Sequence, residues 1–251
     1  MARVVRTAIL SALAQEQQGL LDALRHARRV QHAGRAFWLG ELEGQAVVLA
    51  LSRVGKVAAA TTATALIERF AAERLLFTGV AGALAPQLAV GDIVVADGFV
   101  QHDVDASPLF PRYELPLYGR SRIACDAPLS ESLHRAAQAA LDGWRGSGDA
   151  APALHRGLVA SGDRFVSGFA EAGALRRALL HAGHDALAVE MEGAAVAQVC
   201  LDYRLPFVAV RTISDRADEQ AHVDFTAFIE QVASRRAHDI VRGWLSQLPS
   251  L

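Results

Sequence analysis

Short apolar runs alternate with amphipathic or Ala-rich stretches along the whole chain. Val4 to Leu10 reads as a buried strand. The polar segment after it carries Leu13, Leu20, Leu21 and Leu24 at helical spacing, which predicts a helix through Arg28. Phe37 to Leu42 and Gln45 to Leu51 flank Glu43-Gly44, the pattern of a hairpin. A turn at Ser52 to Lys56 leads into an Ala-rich helix from Val57 to Phe70. Arg74 to Thr78 is apolar again and runs into Gly79-Val80-Ala81-Gly82, where glycines permit a tight turn or a close backbone approach to a ligand. Gly91-Asp92 is a turn before a strand from Ile93 to Ala96. From Asp97 to Arg122 no period survives, and Pro108, Pro111 and Pro116 exclude a helix, so a long loop is expected. A helix from Leu129 to Trp144, a turn from Gly146 to Pro152 and a strand from His155 to Ser161 follow. An Ala- and Leu-rich helix comes after Gly168, then a strand from Phe207 to Val210 and an amphipathic helix from about Phe225 to Leu245.

Strands alternating with helices predict an α/β sandwich with helices on both faces of a largely buried sheet, as one domain over residues 1–251. Ligands in such folds gather beyond the carboxyl ends of strands, where Glu16, the Gly79 turn, Phe165, Glu192 and Asp215 all fall. With 52% hydrophobic and 21% charged residues the chain has enough apolar material for a large core. A net charge of −2 with scattered Lys and Arg gives no nucleic-acid footprint. No apolar run approaches the roughly 20 residues of a membrane span, and no signal peptide is evident. Cys125 and Cys200 are far apart and outside any CxxC spacing, as expected of reduced thiols in a cytoplasmic protein.

Two stretches carry ionisable groups where the surroundings are apolar. Ala188 to Ala197 sets Glu190 and Glu192 around Met191 among small residues, and Pro206 to Asp215 is a strand pattern ending in Arg211, Ser214 and Asp215. Ionised side chains are seldom buried unless paired or used. Plainer readings exist for each: Glu at a helix start, Asp215 as a helix cap, Arg211 paired to an acid, Glu16 on a solvated helix face, Phe165 as core. His102, Asp103 and Asp105 have metal-ligand chemistry, but no second ligand cluster accompanies them, and no metal is expected.

Seven blocks stand in order along nearly the whole chain: Ala12 to Glu16, Val54 to Ala60, Thr78 to Gly82, Gly91 to Val95, Ser161 to Phe165, Val189 to Glu192 and Val210 to Asp218. Together they resemble the purine nucleoside phosphorylase superfamily, and more narrowly its bacterial 5′-methylthioadenosine/S-adenosylhomocysteine nucleosidases. The resemblance implies a three-layer α/β/α sandwich with a mixed central sheet. It also implies hydrolysis of an N-glycosidic bond to give adenine and a 5-substituted ribose, with no cofactor and a homodimeric state. Glu16 takes the place of the base that activates water. Asp215 matches the acid that protonates adenine at N7, and Ser214 the residue that orients it. Glu192 matches the carboxylate on the ribose hydroxyls, with Met191 against the sugar. Arg211 is similar to the arginine near the attacking water. Phe165 matches the ring that stacks on the purine, and the backbone of Val166 reads the purine edge. Val54, Val80, Ala81, Gly82, Glu190 and Phe225 complete the implied binding residues.

The implied chemistry makes opposite demands on two acids: Asp215 must keep its proton near neutral pH while Glu16 must be ionised. The chain departs from the nucleosidase pattern at three places. Val80 stands where many members have Ser, Arg53 where Gly is usual, and the loop from Ser107 to Pro116 is longer and carries Phe110, Arg112 and Tyr113. The rival readings are a phosphate-dependent nucleoside phosphorylase, a nucleosidase for futalosine or an adenine nucleotide, and a binding protein that has kept the fold without the chemistry. Arg53 leaves room for the first, because phosphate needs several cationic groups gathered on it.

Overall fold

The computed structural model describes residues 6–144, 152–217, 228 and 234–249. Within them a ten-stranded mixed sheet forms from the apolar segments. At its centre β1 (Arg6–Ser11) lies parallel to both β4 (Gln45–Leu51) and β5 (Ala72–Ala83). β10 (Phe207–Asp215) runs parallel to β5 on one side and antiparallel to β6 (Ile93–Gln101) on the other. β8 (Leu154–Ser161) and β9 (Ala186–Glu190) continue from β6, and β9 returns to pair with the far end of β5. Strands β10, β6, β8, β9 and β5 thus close into a ring, which removes free edges around the segment that bears the ionisable residues. β7 (Arg122–Ala124) adds to β6.

Helices cover both faces, as the pattern predicts. α1 (Ala14–Asp22), α3 (Ala127–Trp144) and α6 (Ser234–Gln247) enclose one core around Leu20, Leu133 and Trp244. α2 (Lys56–Glu68) and α5 (Gly193–Tyr203) enclose the other around Leu66, Phe77 and Phe99. Along β10 the period of two sorts the residues: Val208 and Val210 enter the first core, Phe207, Ala209 and Ile213 the second. A third cluster joins α4 (Phe169–His181) to the loop after β6 through Leu179, Val166 and Tyr113. Cys125 and Cys200 are buried and free. Among the described residues no helix is long and apolar enough to cross a membrane.

Several expectations need correction. The helix expected through Arg28 ends at Asp22, and Arg25–His32 is instead β2, paired antiparallel with β3 (Arg35–Leu42) at the outer limit of the sheet. Its residues are exposed apart from the half-buried Val30, so no inward face imposes the alternation by which a strand is recognised. Its arginines instead blunt an edge that would otherwise invite pairing. Gly79 and Gly82 lie inside β5, not in a turn beyond it, and the residues from Asp97 to Gln101 extend β6. Residues 102–121 are irregular as expected. The Gly146 turn and the start of the C-terminal helix at Phe225 lie outside the described residues.

Candidate active site

The carboxyl ends of β1, β5, β9 and β10 surround a cavity of about 470 Å³. That volume lies within the range of small-molecule sites. Each acid reaches it by a local device. Glu16 occupies the third position of α1, and Oε2 reaches back to accept the N–H groups of Ala12 and Leu13, both at 2.8 Å. Its Oε1 accepts the Val80 N–H at 3.1 Å across the sheet. Gly79 makes room for this, because a Cβ there would sit 3.0 Å from Oε1. Burial pushes the Glu16 carboxyl above its ordinary 4.5, against the pull of these N–H donors and the Arg211 charge.

On β10 the register slips between Ile213 and Asp215, so that consecutive residues Ser214 and Asp215 both line the cavity. Strict alternation would have sent one of them to the opposite face; a bulge re-aims it. Asp215 is buried, its Oδ1 accepts the Ala217 N–H at 2.9 Å, and the Ser214 hydroxyl donates to Oδ2 at 2.7 Å. A Cβ on Gly82 would stand 2.9 Å from Asp215 Oδ1, so this glycine is what admits the carboxyl.

Glu190 and Glu192, equivalent in sequence, are separated by their surroundings. Glu190 is saturated: it accepts the Ser161 hydroxyl, the Gly193 N–H at 2.8 Å and Arg211 Nη2 at 2.8 Å. Gly193 can lie so close because a side chain there would strike the Phe99 ring. Arg211 in turn donates to the Phe77 carbonyl at 3.0 Å and stacks 4.0 Å over the Phe77 ring. The pair is buried with every charge met, which fixes the floor of the cavity. Glu192, by contrast, has its Oε1 on the Gly55 N–H at 2.8 Å. Burial and then the Glu190 charge push its carboxyl up to about 8.

Thirteen of the residues proposed from sequence line this cavity, with Val54 and Phe165 at an exposed rim and Val80, Ala81, Val166 and Met191 along the wall. Phe225 lies outside the described residues. Sequence reasoning passed over Phe77 and Arg164 as lining residues. Arg164 lies within the Ser161 to Phe165 stretch, whereas Phe77 carries no sequence signal beyond ending an apolar run.

A sequence model of the phosphorylase superfamily matches residues 6–246. The chain belongs to the phosphorylase superfamily. Within this superfamily it is similar to a 5′-methylthioadenosine/S-adenosylhomocysteine nucleosidase of Mycobacterium bovis, 34% identical over 252 residues covering 95% of this chain and 96% of the relative. It is also similar to the 5′-methylthioadenosine/S-adenosylhomocysteine nucleosidase of Neisseria meningitidis, solved in complex with methylthio-immucillin-A, at 34% identity and a TM-score of 0.87 over 97% of this chain and 99% of that one. The S-adenosylhomocysteine nucleosidase of Streptococcus pyogenes, solved with 5-methylthiotubericidin, gives 32% identity and a TM-score of 0.86 over 99% of both chains.

Arg53 and the acids of the irregular loop now have places. Arg53 takes a left-handed φ of 65° and donates to the Gly34 carbonyl at 2.7 Å. It is not among the lining residues, so it offers the cavity no cation for phosphate. Among the described residues no three His, Cys, Asp or Glu side chains gather as metal ligands. Asp103 is held by Lys56 and the Asp163 N–H, and Asp105 by the Ser107 N–H.

Proposed function

We propose that this chain hydrolyses the N-glycosidic bond of 5′-methylthioadenosine and S-adenosylhomocysteine, releasing adenine and a 5-thio-substituted ribose. The observation that carries the reading is that two buried acids, Glu16 from the first turn of α1 and Asp215 from the end of β10, share a cavity of nucleoside size. Glu16, ionised, takes a proton from water, whose oxygen attacks C1′ of the ribose. The C1′–N9 bond breaks, its electron pair leaves with adenine, and Asp215 gives its proton to N7. The Ser214 hydroxyl and the Ala217 N–H are already in place as donors to the carboxylate that forms on Asp215. Phe165 stacks on the purine at the rim and the Val166 backbone reads its edge. Met191 packs on the sugar, and Glu192 accepts the ribose hydroxyls, where its negative charge favours the cationic sugar of the transition state. Arg211 acts through its charge, keeping Glu16 and Glu192 closer to their ionised forms.

Incubation with 5′-methylthioadenosine, S-adenosylhomocysteine, futalosine and AMP, with and without phosphate, tests the assignment. Adenine from the first two substrates, at a rate indifferent to phosphate, is expected. Turnover that depends on phosphate, or that is confined to futalosine or AMP, would overturn it.

We further propose that the chain forms a homodimer through the irregular loop. Leu109 and Leu117 are 84% and 90% exposed there, two large apolar side chains on one loop that a partner subunit would cover. Tyr113, in the same loop, is buried in its own chain against His184. Sedimentation velocity at micromolar concentration is expected to give a dimer, with monomer after Leu109→Asp and Leu117→Asp are combined. A monomer for the wild type would remove the proposal.

A further inference from the structure

Three residues that the reaction does not touch are joined behind the cavity rim. Lys56 opens α2, and its Nζ lies 2.6 Å from Asp103 Oδ1 and 2.9 Å from Gln101 Oε1. The other oxygen of Asp103 accepts the backbone N–H of Asp163 at 2.9 Å. Asp163 Oδ1 accepts the backbone N–H of Lys56 at 2.6 Å, closing a ring. None of the three lines the cavity, yet each end of the ring is tied to residues that do. Val54 precedes Lys56 by two positions, and Arg164, Phe165 and Val166 follow directly on Asp163. Between Val54 and Lys56 stands Gly55, at a φ of 96°, whose N–H is the donor to Glu192. A Cβ on Gly55 would sit 3.1 Å from Asp163 Oδ1, so the two loops meet without room for a side chain.

We propose that the Lys56–Asp103–Asp163 ring is a positioning unit that holds Glu192 and Phe165 in mutual register, so that ribose and purine are gripped together. The proposal rests on the nucleosidase reading above. Separate loops supply the two grips, and sequence separation alone gives them no common frame. The ring supplies one: it fixes the start of α2, and with it the Gly55 N–H, to the loop that carries Phe165. Shielding suits the role, since the side chains of Lys56 and Asp103 are 18% and 31% exposed and the pair is screened less than a surface one. The plainer alternative is that Asp163 caps a helix and Lys56 makes an ordinary ion pair, worth stability and nothing else.

The pH dependence of turnover separates these. Glu192 is faced by Glu190 from β9, Arg211 from β10, Glu16 from α1 and the Gly55 N–H from the start of α2. The first and third disfavour its ionised form; the second and fourth favour it. If the ring breaks and Gly55 drifts, a favourable donor is lost and Glu192 ionises at higher pH. Because it must be ionised to accept the ribose hydroxyls, the acid limb of kcat/KM then moves upward.

The experiment measures kcat and KM for 5′-methylthioadenosine from pH 5 to 9.5, with thermal melts alongside, for Lys56→Met, Asp163→Ala and Asp103→Asn. Lys56→Arg and Asp163→Asn serve as partial restorations, the second because its amide oxygen can still accept the Lys56 N–H. We expect KM to rise about tenfold in Lys56→Met and Asp163→Ala, the order of loss that sub-ångström misplacement brings. The acid limb should move up in both, and Lys56→Arg and Asp163→Asn should recover most of each effect. Lower melting temperatures with unshifted KM and limb would overturn the proposal and leave a stabilising cap. If the wild type releases no adenine, the nucleosidase reading falls and this proposal with it, a result distinct from wild-type turnover with unshifted variants.

Discussion

Asp215→Asn is expected to slow adenine release by about 10²–10⁴-fold, the range that a positioned general acid contributes, while KM for 5′-methylthioadenosine changes little. The asymmetry follows from what the substitution keeps. Asparagine matches aspartic acid in size, and its amide oxygen can still accept the Ala217 N–H that Oδ1 accepts now. Gly82 leaves the same space for it. What is lost is the proton for N7, and with it the means of discharging the electron pair that adenine carries away. A leaving group that departs as a stable anion needs no such proton. A nitrophenyl 5-thioriboside should therefore be cleaved by Asp215→Asn at close to the wild-type rate. Single-turnover adenine release and nitrophenolate release, measured on the same preparation, check both halves. Equal losses on the two substrates would mean that Asp215 holds the pocket in shape and transfers no proton.

Much of the scaffold around this acid was legible in the chain because the sheet interior obeys simple periods. The middle of β1, β4 after Gln45 and the first four residues of β10 are apolar because both of their faces are covered, and the hairpin at Glu43-Gly44 follows from two strands and a two-residue turn. What escaped depends on partners distant in sequence. β2 is a strand because β3 offers it a backbone, and its own residues carry no inward face. The bulge that turns both Ser214 and Asp215 inward is a property of the β10–β5 pairing and not of either segment. The pair Glu190 and Glu192 looks symmetrical until Ser161, Arg211 and Gly55 arrive from three other elements and assign one to the floor and the other to the cavity. Local pattern places residues near a site; the division of roles among them comes from contacts across the fold.

Glu16→Gln is the second large effect, an expected loss of about 10²–10⁴-fold in kcat from removal of the general base. Its pH behaviour distinguishes it from any structural damage. Burial raises the Glu16 carboxyl above 4.5, so at a pH where an exposed glutamate would be fully ionised part of the enzyme holds a protonated, inactive base. For a base that works only when ionised, the wild-type rate must fall as pH drops through that raised value. The limb therefore lies above the ordinary carboxylate range. Glutamine has no such limb, so the residual kcat of the variant at saturating 5′-methylthioadenosine, where the ribose hydroxyls already engage Glu192, should be flat across the same window. Its kcat/KM keeps the limb that Glu192 sets. The substitution also carries a cost apart from chemistry. The carboxylate now accepts N–H groups at both oxygens, from Ala12 and Leu13 at one and Val80 at the other. An amide can accept at only one end, so one backbone donor loses its partner, at about 1–3 kcal/mol. Thermal melts will register that cost, and Glu16→Asp helps to apportion it, since it keeps the charge and retracts it by one methylene. A Glu16→Asp limb that persists at reduced amplitude, beside a flat Glu16→Gln profile, is the pattern of a base. A Glu16→Gln enzyme that keeps the wild-type limb in kcat would show that another group governs that step, and the water would need a different activator.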